Sequence, residues 1–171
     1  MEEITFEEFI NLKNTLNPHE LTTTRVGLIP ILERYQKQYY ILGVDHRTKK
    51  LSDFGGHAVI QGNVLESPLD CLKREMREEA GILLCSYLLN KMDVYKNRLV
   101  IFVLKSYAKQ HIELFLRFED NEMEVDKIIK MFEPNDEIAS IAFYDKVDIL
   151  KTKPNYYILS VEKFMEHLLP T

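Results

Sequence analysis

The segment from Glu66 to Ile82 limits what this chain can fold into more than any other, because it predicts a helix with both ends marked. Ser67 is a preferred N-cap residue, and Pro68 suits the first helical position. Gly81 stands where a helix commonly ends in a left-handed residue. The apolar residues of this helix share one side, which we expect to face a core: Leu69, Leu72, Met76 and Ala80.

The predicted helix also carries three glutamates on another side. Glu75, Glu78 and Glu79 are spaced i, i+3 and i+4, so their carboxylates are neighbours on the helix surface. Like charges at this spacing repel one another and destabilise an isolated helix. A divalent cation would compensate for the repulsion, and the pattern therefore favours a metal site on this side of the helix.

Length and composition are those of an ordinary globular domain. The chain has 171 residues, of which 46% are apolar and 29% charged, and a net charge of −5, which favours one domain over residues 1–171. This acidic balance gives no overall field that would attract nucleic acid or an anionic membrane, so a polyanionic substrate would have to meet local cations or bound metal. The acidic residues 1–4 do not resemble a signal peptide, and no run approaches the roughly 18 apolar residues of a membrane span. We therefore expect a soluble cytoplasmic protein without a membrane partner.

The rest of the chain contains further predicted strands and helices. Strands are predicted near 25–32, 39–44, 51–54, 87–95, 99–104, 112–118 and 137–144, and helices near 6–16, 123–132 and 158–169. Pro30 cannot donate to a β-ladder, so the first of these strands is expected at a sheet edge or with a bulge. Because strands and helices do not alternate strictly, we expect an α+β or mixed-sheet sandwich with helices on both faces.

Glu66 and the helix that follows it resemble the signature of the Nudix hydrolase family. That signature is a glycine, five residues, a glutamate, seven residues and then Arg-Glu-U-x-Glu-Glu-x-Gly-U, where U is apolar. Glu66 stands eight positions before Arg74, and the residues from Arg74 to Ile82 fit the remainder without a mismatch. A run of Arg and Glu taken alone is more often a solvated helix face with ion pairs such as Arg74–Glu78. The added spacing from Glu66 and the closing Gly81 favour the family site instead.

The front of the signature is the one place where this sequence departs from it. Six positions before Glu66 stands Ile60 rather than a glycine. The simplest explanation is a loop lengthened by four residues, in which Gly55 and Gly56 take the place of the family's glycines. Alternatively, Gly62 has taken over part of that role.

The resemblance implies the fold, the reaction and the cofactor. It implies an α+β fold, a Nudix-type α/β/α sandwich with a mixed central β-sheet, and hydrolysis of a phosphoanhydride bond in a nucleoside diphosphate linked to another group. Mg²⁺ or Mn²⁺ would be the cofactor, because hard divalent ions held by carboxylates can neutralise a diphosphate while water attacks it. Glu75, Glu78 and Glu79 would be catalytic residues and metal ligands, and the backbone carbonyl of Gly55 or Gly56 would complete the coordination.

The resemblance also assigns supporting residues. Arg74 would pair with Glu66 and hold the preceding loop against the helix, while Gly56 and Gly81 would support the site through the backbone. A further glutamate after the helix often serves as a ligand or base in the family. The sequence leaves the identity of this late acid open among four residues: Glu119, Glu122, Glu124 and Glu137.

The substrate and the assembly also stay open. Nucleoside triphosphates, dinucleoside polyphosphates, nucleotide sugars, inositol pyrophosphates and capped RNA are all compatible with the family, and homodimers are common in it. A function of another class is a binding or sensor module that uses the same fold to hold a nucleotide without cleaving it.

Overall fold

The computed structural model of the chain describes residues 2–15, 24–106, 109–119 and 123–152. The strands are β1 (Glu2–Ile4), β2 (Thr24–Arg34), β3 (Lys37–Asp45), β4 (Leu51–Ser52), β5 (Phe54–His57), β6 (Ile60–Gln61), β7 (Val64–Leu65), β8 (Leu99–Ser106), β9 (Lys109–Phe118) and β10 (Ile138–Tyr144). The helices are α1 (Phe6–Thr15), α2 (Pro68–Glu79), α3 (Ile82–Val94), α4 (Met123–Lys130) and α5 (Lys146–Lys151). The helix predicted over 158–169 lies outside the described residues.

One mixed sheet forms the centre of the fold, with the main strand order β1-β8-β9-β2-β3-β10. The short strand β4 pairs with β3, and β5 pairs with β2. Strands β2 and β9 run parallel, with residues 24–32 beside residues 110–118. The other paired strands of this sheet are antiparallel. The predicted mixed central sheet is therefore confirmed.

Helices pack against both faces of the sheet, as the sequence predicts. On one face, α1 to α4 bury apolar side chains against the strands. The fully buried residues of this core include Phe9, Leu72, Met76, Leu88, Leu114 and Val125. On the other face, Ile149 of α5 belongs to a second core with Ile29 and Ile31 of β2. Because side chains alternate along a strand, Val26 and Leu28 face the first core instead.

Pro30 lies inside the sheet, so the expectation of an edge strand is wrong. On one side of β2, Pro30 is paired with Leu116 of β9. On the other side, β2 pairs with β5 as far as Leu28 and with β3 from Ile31 onward. Pro30 therefore stands where β2 changes partners, and on that side its missing N–H interrupts no pair of the ladder.

Residues 87–95 belong largely to helix α3, so the strand predicted there is wrong. The buried residues Leu84, Leu88 and Met92 recur every four positions, which places them on one face of a helix. This stripe begins before residue 87, and a short apolar run alone cannot distinguish a buried helix from a strand. None of the helices in the described part of the chain has the length and apolar character needed to cross a lipid bilayer.

Candidate metal centre

Helix α2, which carries the signature glutamates, begins and ends as its sequence predicts. The Ser67 hydroxyl accepts a hydrogen bond from the Asp70 backbone N–H at 3.1 Å, and Pro68 is the first helical residue. Gly81 has a φ of +83°, a conformation that glycine adopts more readily than any residue with a side chain. This turn separates α2 from α3 directly after the last signature glutamate, so the position of Glu79 is fixed by the end of its helix.

Three carboxylates meet beside the C-terminal half of α2. Glu75 and Glu79 come from α2, Glu137 directly precedes β10, and their ligand oxygens all lie within 4.8 Å of one another. Glu75 and Glu79 are only 8% and 9% exposed, whereas Glu137 is exposed. We call these three residues the carboxylate triad. A set of convergent carboxylate oxygens is the ligand type that Mg²⁺ and Mn²⁺ prefer.

Asn135 explains how Glu137 reaches the triad. The Asn135 side-chain amide donates to the backbone carbonyl of Glu79 at 2.8 Å. Its side-chain oxygen accepts from the backbone N–H groups of Glu137 at 3.0 Å and Ile138 at 2.8 Å. One side chain therefore ties the turn before β10 to the end of α2. Sequence reasoning identified this turn but not the contact, because Asn135 is 56 positions from Glu79.

Two of the other late acids, Glu119 and Glu124, lie outside the triad. Glu119 is exposed at the end of β9 and forms an ion pair with Arg98. Glu124 is exposed in the first turn of α4. Glu122 lies outside the described residues. Among the described candidates, Glu137 is thus the one that the structure places beside Glu75 and Glu79.

Gly55 and Gly56 lie directly against the triad. The backbone N–H of Gly55 donates to Glu79 Oε2 at 2.7 Å. A Cβ on Gly56 would lie 2.2 Å from Glu75 Oε1, so a side chain there would displace this carboxylate. Gly62, by contrast, has a φ of +64° and open space around it. The geometry therefore favours Gly55 and Gly56 over Gly62 as the glycines of the signature.

The lengthened loop between Gly56 and Glu66 is a small β-hairpin. Strands β6 and β7 pair antiparallel, with Gly62 in the turn between them. The base of the hairpin is closed by Glu66, whose backbone N–H donates to the Val59 carbonyl at 3.0 Å. The Glu66 carboxylate in turn accepts from the Val59 N–H at 3.3 Å. The additional residues therefore form a defined element attached to the start of α2.

Arg74 joins this hairpin to α2 and to the triad. Its guanidinium donates to both carboxylate oxygens of Glu66, at 2.8 and 3.1 Å, and to the backbone carbonyl of His57 at 3.0 Å. It also contacts Glu75 Oε1 at 3.0 Å and Glu78 Oε2 at 3.3 Å. The expected Arg74–Glu66 pair is present. Glu78 lies outside the triad with its side chain 50% exposed, so its role as a metal ligand stays a prediction.

Burial raises the pKa of the two glutamates that α2 contributes to the triad. Burial, with a further contribution from the neighbouring Glu137 carboxylate, raises the pKa of Glu79 to about 10. Burial also raises the pKa of Glu75, although Arg74 opposes the shift. A cation bound by these carboxylates would have to replace the proton, and its charge would stabilise the ionised form of both groups.

The triad lines one wall of a polar cavity of about 450 Å³. Gly55 and Gly56 also line it, and three further lining residues are basic: Arg25, Arg47 and His57. The remaining lining residues are polar or acidic: Asp45, Ser52 and Asp136. A cavity with carboxylates for a cation and basic groups for an anion can accommodate a phosphorylated ligand.

A buried charge network borders this cavity, and sequence reasoning missed it. Arg25 makes a bidentate ion pair with Asp53 at 2.7 and 2.8 Å. His111 Nε2 lies 3.3 Å from Arg25 Nη1 and 3.0 Å from Glu113 Oε2. The available signal was the presence of His111 and Glu113 at alternate positions of a strand that is otherwise largely apolar, since a buried charge needs a partner.

Comparison with known proteins bears on the fold. No protein-family model matches the chain, and no curated protein matches it by sequence. The chain is similar to the crystal structure of a bifunctional NMN adenylyltransferase/ADP ribose pyrophosphatase from Francisella tularensis, complexed with AMP and a Mn ion. That similarity has a TM-score of 0.56 and 12% identity and covers 94% of this chain but 45% of the larger protein.

Two further solved structures are similar at lower TM-scores. A C. elegans Ap4A hydrolase has a TM-score of 0.49 and 16% identity, with 85% of this chain and 97% of that chain covered. A NUDIX-family hydrolase from Clostridium perfringens has a TM-score of 0.47 and 22% identity, with 91% and 100% covered. The predicted α/β/α sandwich with a mixed central sheet is confirmed, and the similarity to the Francisella tularensis structure extends over this fold.

Proposed function

We propose that this chain is a Nudix hydrolase, a divalent-metal-dependent enzyme that cleaves a phosphoanhydride bond of a nucleoside diphosphate linked to another group. The carboxylate triad is the observation that carries the proposal, because it joins two signature glutamates to Glu137 at the wall of a polar cavity. A solvated helix face would not account for the burial of Glu75 and Glu79.

The donor set of the triad fits Mg²⁺ or Mn²⁺. Glu75, Glu79 and Glu137 would hold the ion, with Glu78 and the Gly55 carbonyl as further proposed ligands. All are oxygen donors, which these hard cations prefer. Bound there, the ion would supply positive charge to the diphosphate and lower the pKa of a bound water.

The residues of the chain would orient these groups and move a proton. Glu79 is held by the Gly55 N–H, and Glu75 is held by Arg74. Glu137 is the exposed member of the triad, so we assign its carboxylate the role of accepting the proton of the attacking water. Glu66 would act through Arg74 as a positioning residue, because its carboxylate accepts from the Arg74 guanidinium and Glu66 does not line the cavity.

The finer assignments belong to the same proposal. We propose a single cytoplasmic domain over residues 1–171 that acts on a nucleotide-type small molecule. The substrate classes left open by the sequence include capped RNA, and ADP-ribose joins them because one similar structure is described as an ADP ribose pyrophosphatase. A homodimer is a further prediction, which size-exclusion chromatography with light scattering measures directly.

A substrate screen with Mg²⁺ or Mn²⁺ tests the proposal. It would cover nucleoside triphosphates, dinucleoside polyphosphates, nucleotide sugars, ADP-ribose, inositol pyrophosphates and capped RNA, with phosphate or nucleotide release as the readout. We expect metal-dependent turnover of at least one class, abolished by EDTA and by Glu79→Gln. If no compound is cleaved while one of them raises the melting temperature, the protein is instead a binding or sensor module.

A further inference from the structure

We propose that Arg25 binds an anionic group of the substrate, such as a phosphate, on the opposite side of β5 from the carboxylate triad. The inference rests on the proposed function and extends its site, because it adds a fixed cation to the cavity in which the reaction would occur. It also restricts the proposed substrates to compounds that carry at least one anionic group in addition to the groups that a metal ion on the triad would neutralise.

The position of Arg25 on β2 places it across the sheet from α2. Val26 and Leu28 belong to the core beneath α2, and side chains alternate along a strand, so Arg25 points to the other face. Arg25 nevertheless lines the same cavity as Glu75 and Glu79. A ligand that fills this cavity can therefore contact the triad with one part and Arg25 with another.

The Arg25 guanidinium is held in one orientation before any ligand arrives. Its two terminal nitrogens donate to the two oxygens of Asp53, at 2.8 and 2.7 Å. Asp53 is fully buried, whereas the side chain of Arg25 keeps 15% of its surface exposed. A guanidinium has five N–H donors, so a bidentate pair with Asp53 leaves donors for a phosphate oxygen. Such a preorganised cation binds an anion with little loss of side-chain entropy.

A second layer of buried groups supports this pair. His111 Nε2 lies between Arg25 Nη1 and Glu113 Oε2, at 3.3 and 3.0 Å. Glu113 is fully buried, and burial raises its pKa well above the usual range. Gly27 leaves the room for this arrangement, since a Cβ there would lie 2.0 Å from Asp53 Oδ2 and 2.3 Å from Glu113 Oε2. The network thus fixes Arg25 from the side away from the cavity.

The same groups could in principle hold a metal ion, since the ligand atoms of Asp53, His111 and Glu113 lie within 4.8 Å of one another. The Arg25 guanidinium already supplies the positive charge among them, at hydrogen-bond distance from Asp53 and His111. A divalent cation placed there would be repelled by Arg25 at close range. The geometry therefore favours a guanidinium anchored for an external anion.

A charge-balanced double variant separates substrate binding from a merely structural role. Arg25→Met with Asp53→Asn removes a buried cation together with its buried partner, so no charge is left unpaired in the protein. The matched control is Arg34→Met with Asp126→Asn. That pair is also bidentate, at 3.0 and 2.7 Å, but neither residue lines the cavity. The probe is inorganic tripolyphosphate in the presence of Mg²⁺, titrated calorimetrically.

We expect the Arg25/Asp53 double variant to bind tripolyphosphate at least about tenfold more weakly, as for the loss of a charge-assisted hydrogen bond. The control should stay within about twofold, as expected for a pair that does not contact the probe. For a substrate found in the screen, KM should rise by the same factor while kcat changes less. Equal affinity of the double variant and the wild type, or no binding by the wild type, would overturn the inference.

If circular dichroism shows that the double variant does not fold, a single variant tests the inference instead. Arg25→Lys keeps the charge but loses the planar fork, so tripolyphosphate affinity should fall by about fivefold or more; an unchanged affinity would contradict the inference. Binding of the probe does not require turnover. Arg25-dependent binding without cleavage of any substrate would refute the hydrolase function alone, and turnover with Arg25-independent binding would refute this inference alone.

Discussion

The described part of the chain contains two clusters of acidic side chains near β5, the triad and the buried network, and they differ in what neutralises their charge. In the triad, Glu79 accepts a hydrogen bond from the Gly55 N–H, and Arg74 shares its guanidinium among several acids. In the buried network, Asp53 has a guanidinium of its own from Arg25. The carboxylate oxygens of the triad can therefore still bind a cation, whereas in the network the charge of Asp53 is already neutralised by Arg25.

The difference shows that clustering of acids alone does not define a metal site. Both clusters bring three ligand atoms within 4.8 Å of one another. What distinguishes them is the position of the nearest guanidinium and the exposure of one member, Glu137, to the solvent. If this account holds, substitutions in the triad should affect activity, and substitutions in the network should affect stability and anion binding.

The largest effect is expected from Glu79→Gln. Loss of a metal-binding carboxylate should reduce kcat by about a thousandfold or more, while the fold is retained. The melting temperature in EDTA should not fall, because a neutral side chain replaces a carboxylate whose pKa is raised to about 10. Steady-state kinetics and thermal unfolding of the same preparation test both parts. A variant with near-wild-type kcat would remove Glu79 from the metal site.

A substitution in the buried network should instead lower the stability of the protein. Asp53→Asn leaves the mostly buried Arg25 without its charged partner, which should reduce the free energy of unfolding by about 3–5 kcal/mol. The matched change Asp126→Asn breaks the more exposed Arg34–Asp126 pair and should cost no more than about 1 kcal/mol. Urea denaturation measures both. Equal losses would mean that the network does not depend on the Arg25–Asp53 pair.

Substitutions of Gly56 and Gly62 by alanine should differ in their effect on activity. In Gly56→Ala the new Cβ would collide with Glu75 Oε1, so we expect kcat to fall by about tenfold or more as the carboxylate is displaced. In Gly62→Ala there is open space, and the positive φ should cost about 1 kcal/mol of stability without loss of activity. Kinetics and urea denaturation of both variants give the comparison. A greater loss of activity in Gly62→Ala would assign the signature glycine to the hairpin turn.

The last expected effect is on the pH dependence of stability in EDTA. The pKa of Glu79 is raised from 4.5 to about 10 in the folded protein, so folding takes up a proton between these values. The contribution of Glu79 to stability is therefore complete below pH 4.5 and is lost as the pH rises through about 10. Between about pH 7 and 9, the free energy of unfolding of the wild type should fall as the pH rises. In Glu79→Gln this fall should be smaller by on the order of 1 kcal/mol per pH unit. Urea denaturation at a series of pH values measures the slope, and an unchanged slope would contradict the assigned pKa.

The elements that sequence reasoning predicted correctly are those with local signals. The boundaries of α2 follow from Ser67, Pro68 and Gly81, and the neighbouring positions of Glu75 and Glu79 follow from helical spacing. The pair of Arg74 with Glu66 is present, as the resemblance implied. In each case the residues that determine the feature are close to one another in the sequence.

The features that were missed depend on contacts between distant residues. Glu137 could not be chosen among the late acids because Asn135, which positions it, bonds to a residue 56 positions away. The network could not be assembled because the parallel register of β2 and β9 brings together Arg25 and His111, which are 86 positions apart. The interior position of Pro30 likewise depends on where β2 changes partners.

Binding of Mn²⁺, measured by electron paramagnetic resonance, tests most directly whether the triad is a metal site. The wild type should bind the ion, and Glu79→Gln should weaken binding by at least about tenfold, as should Glu137→Gln. Glu119→Gln is the control, because its carboxylate pairs with Arg98 and lies outside the triad. Mn²⁺ affinity that is unchanged in both triad variants, or lost equally in the control, would contradict the account.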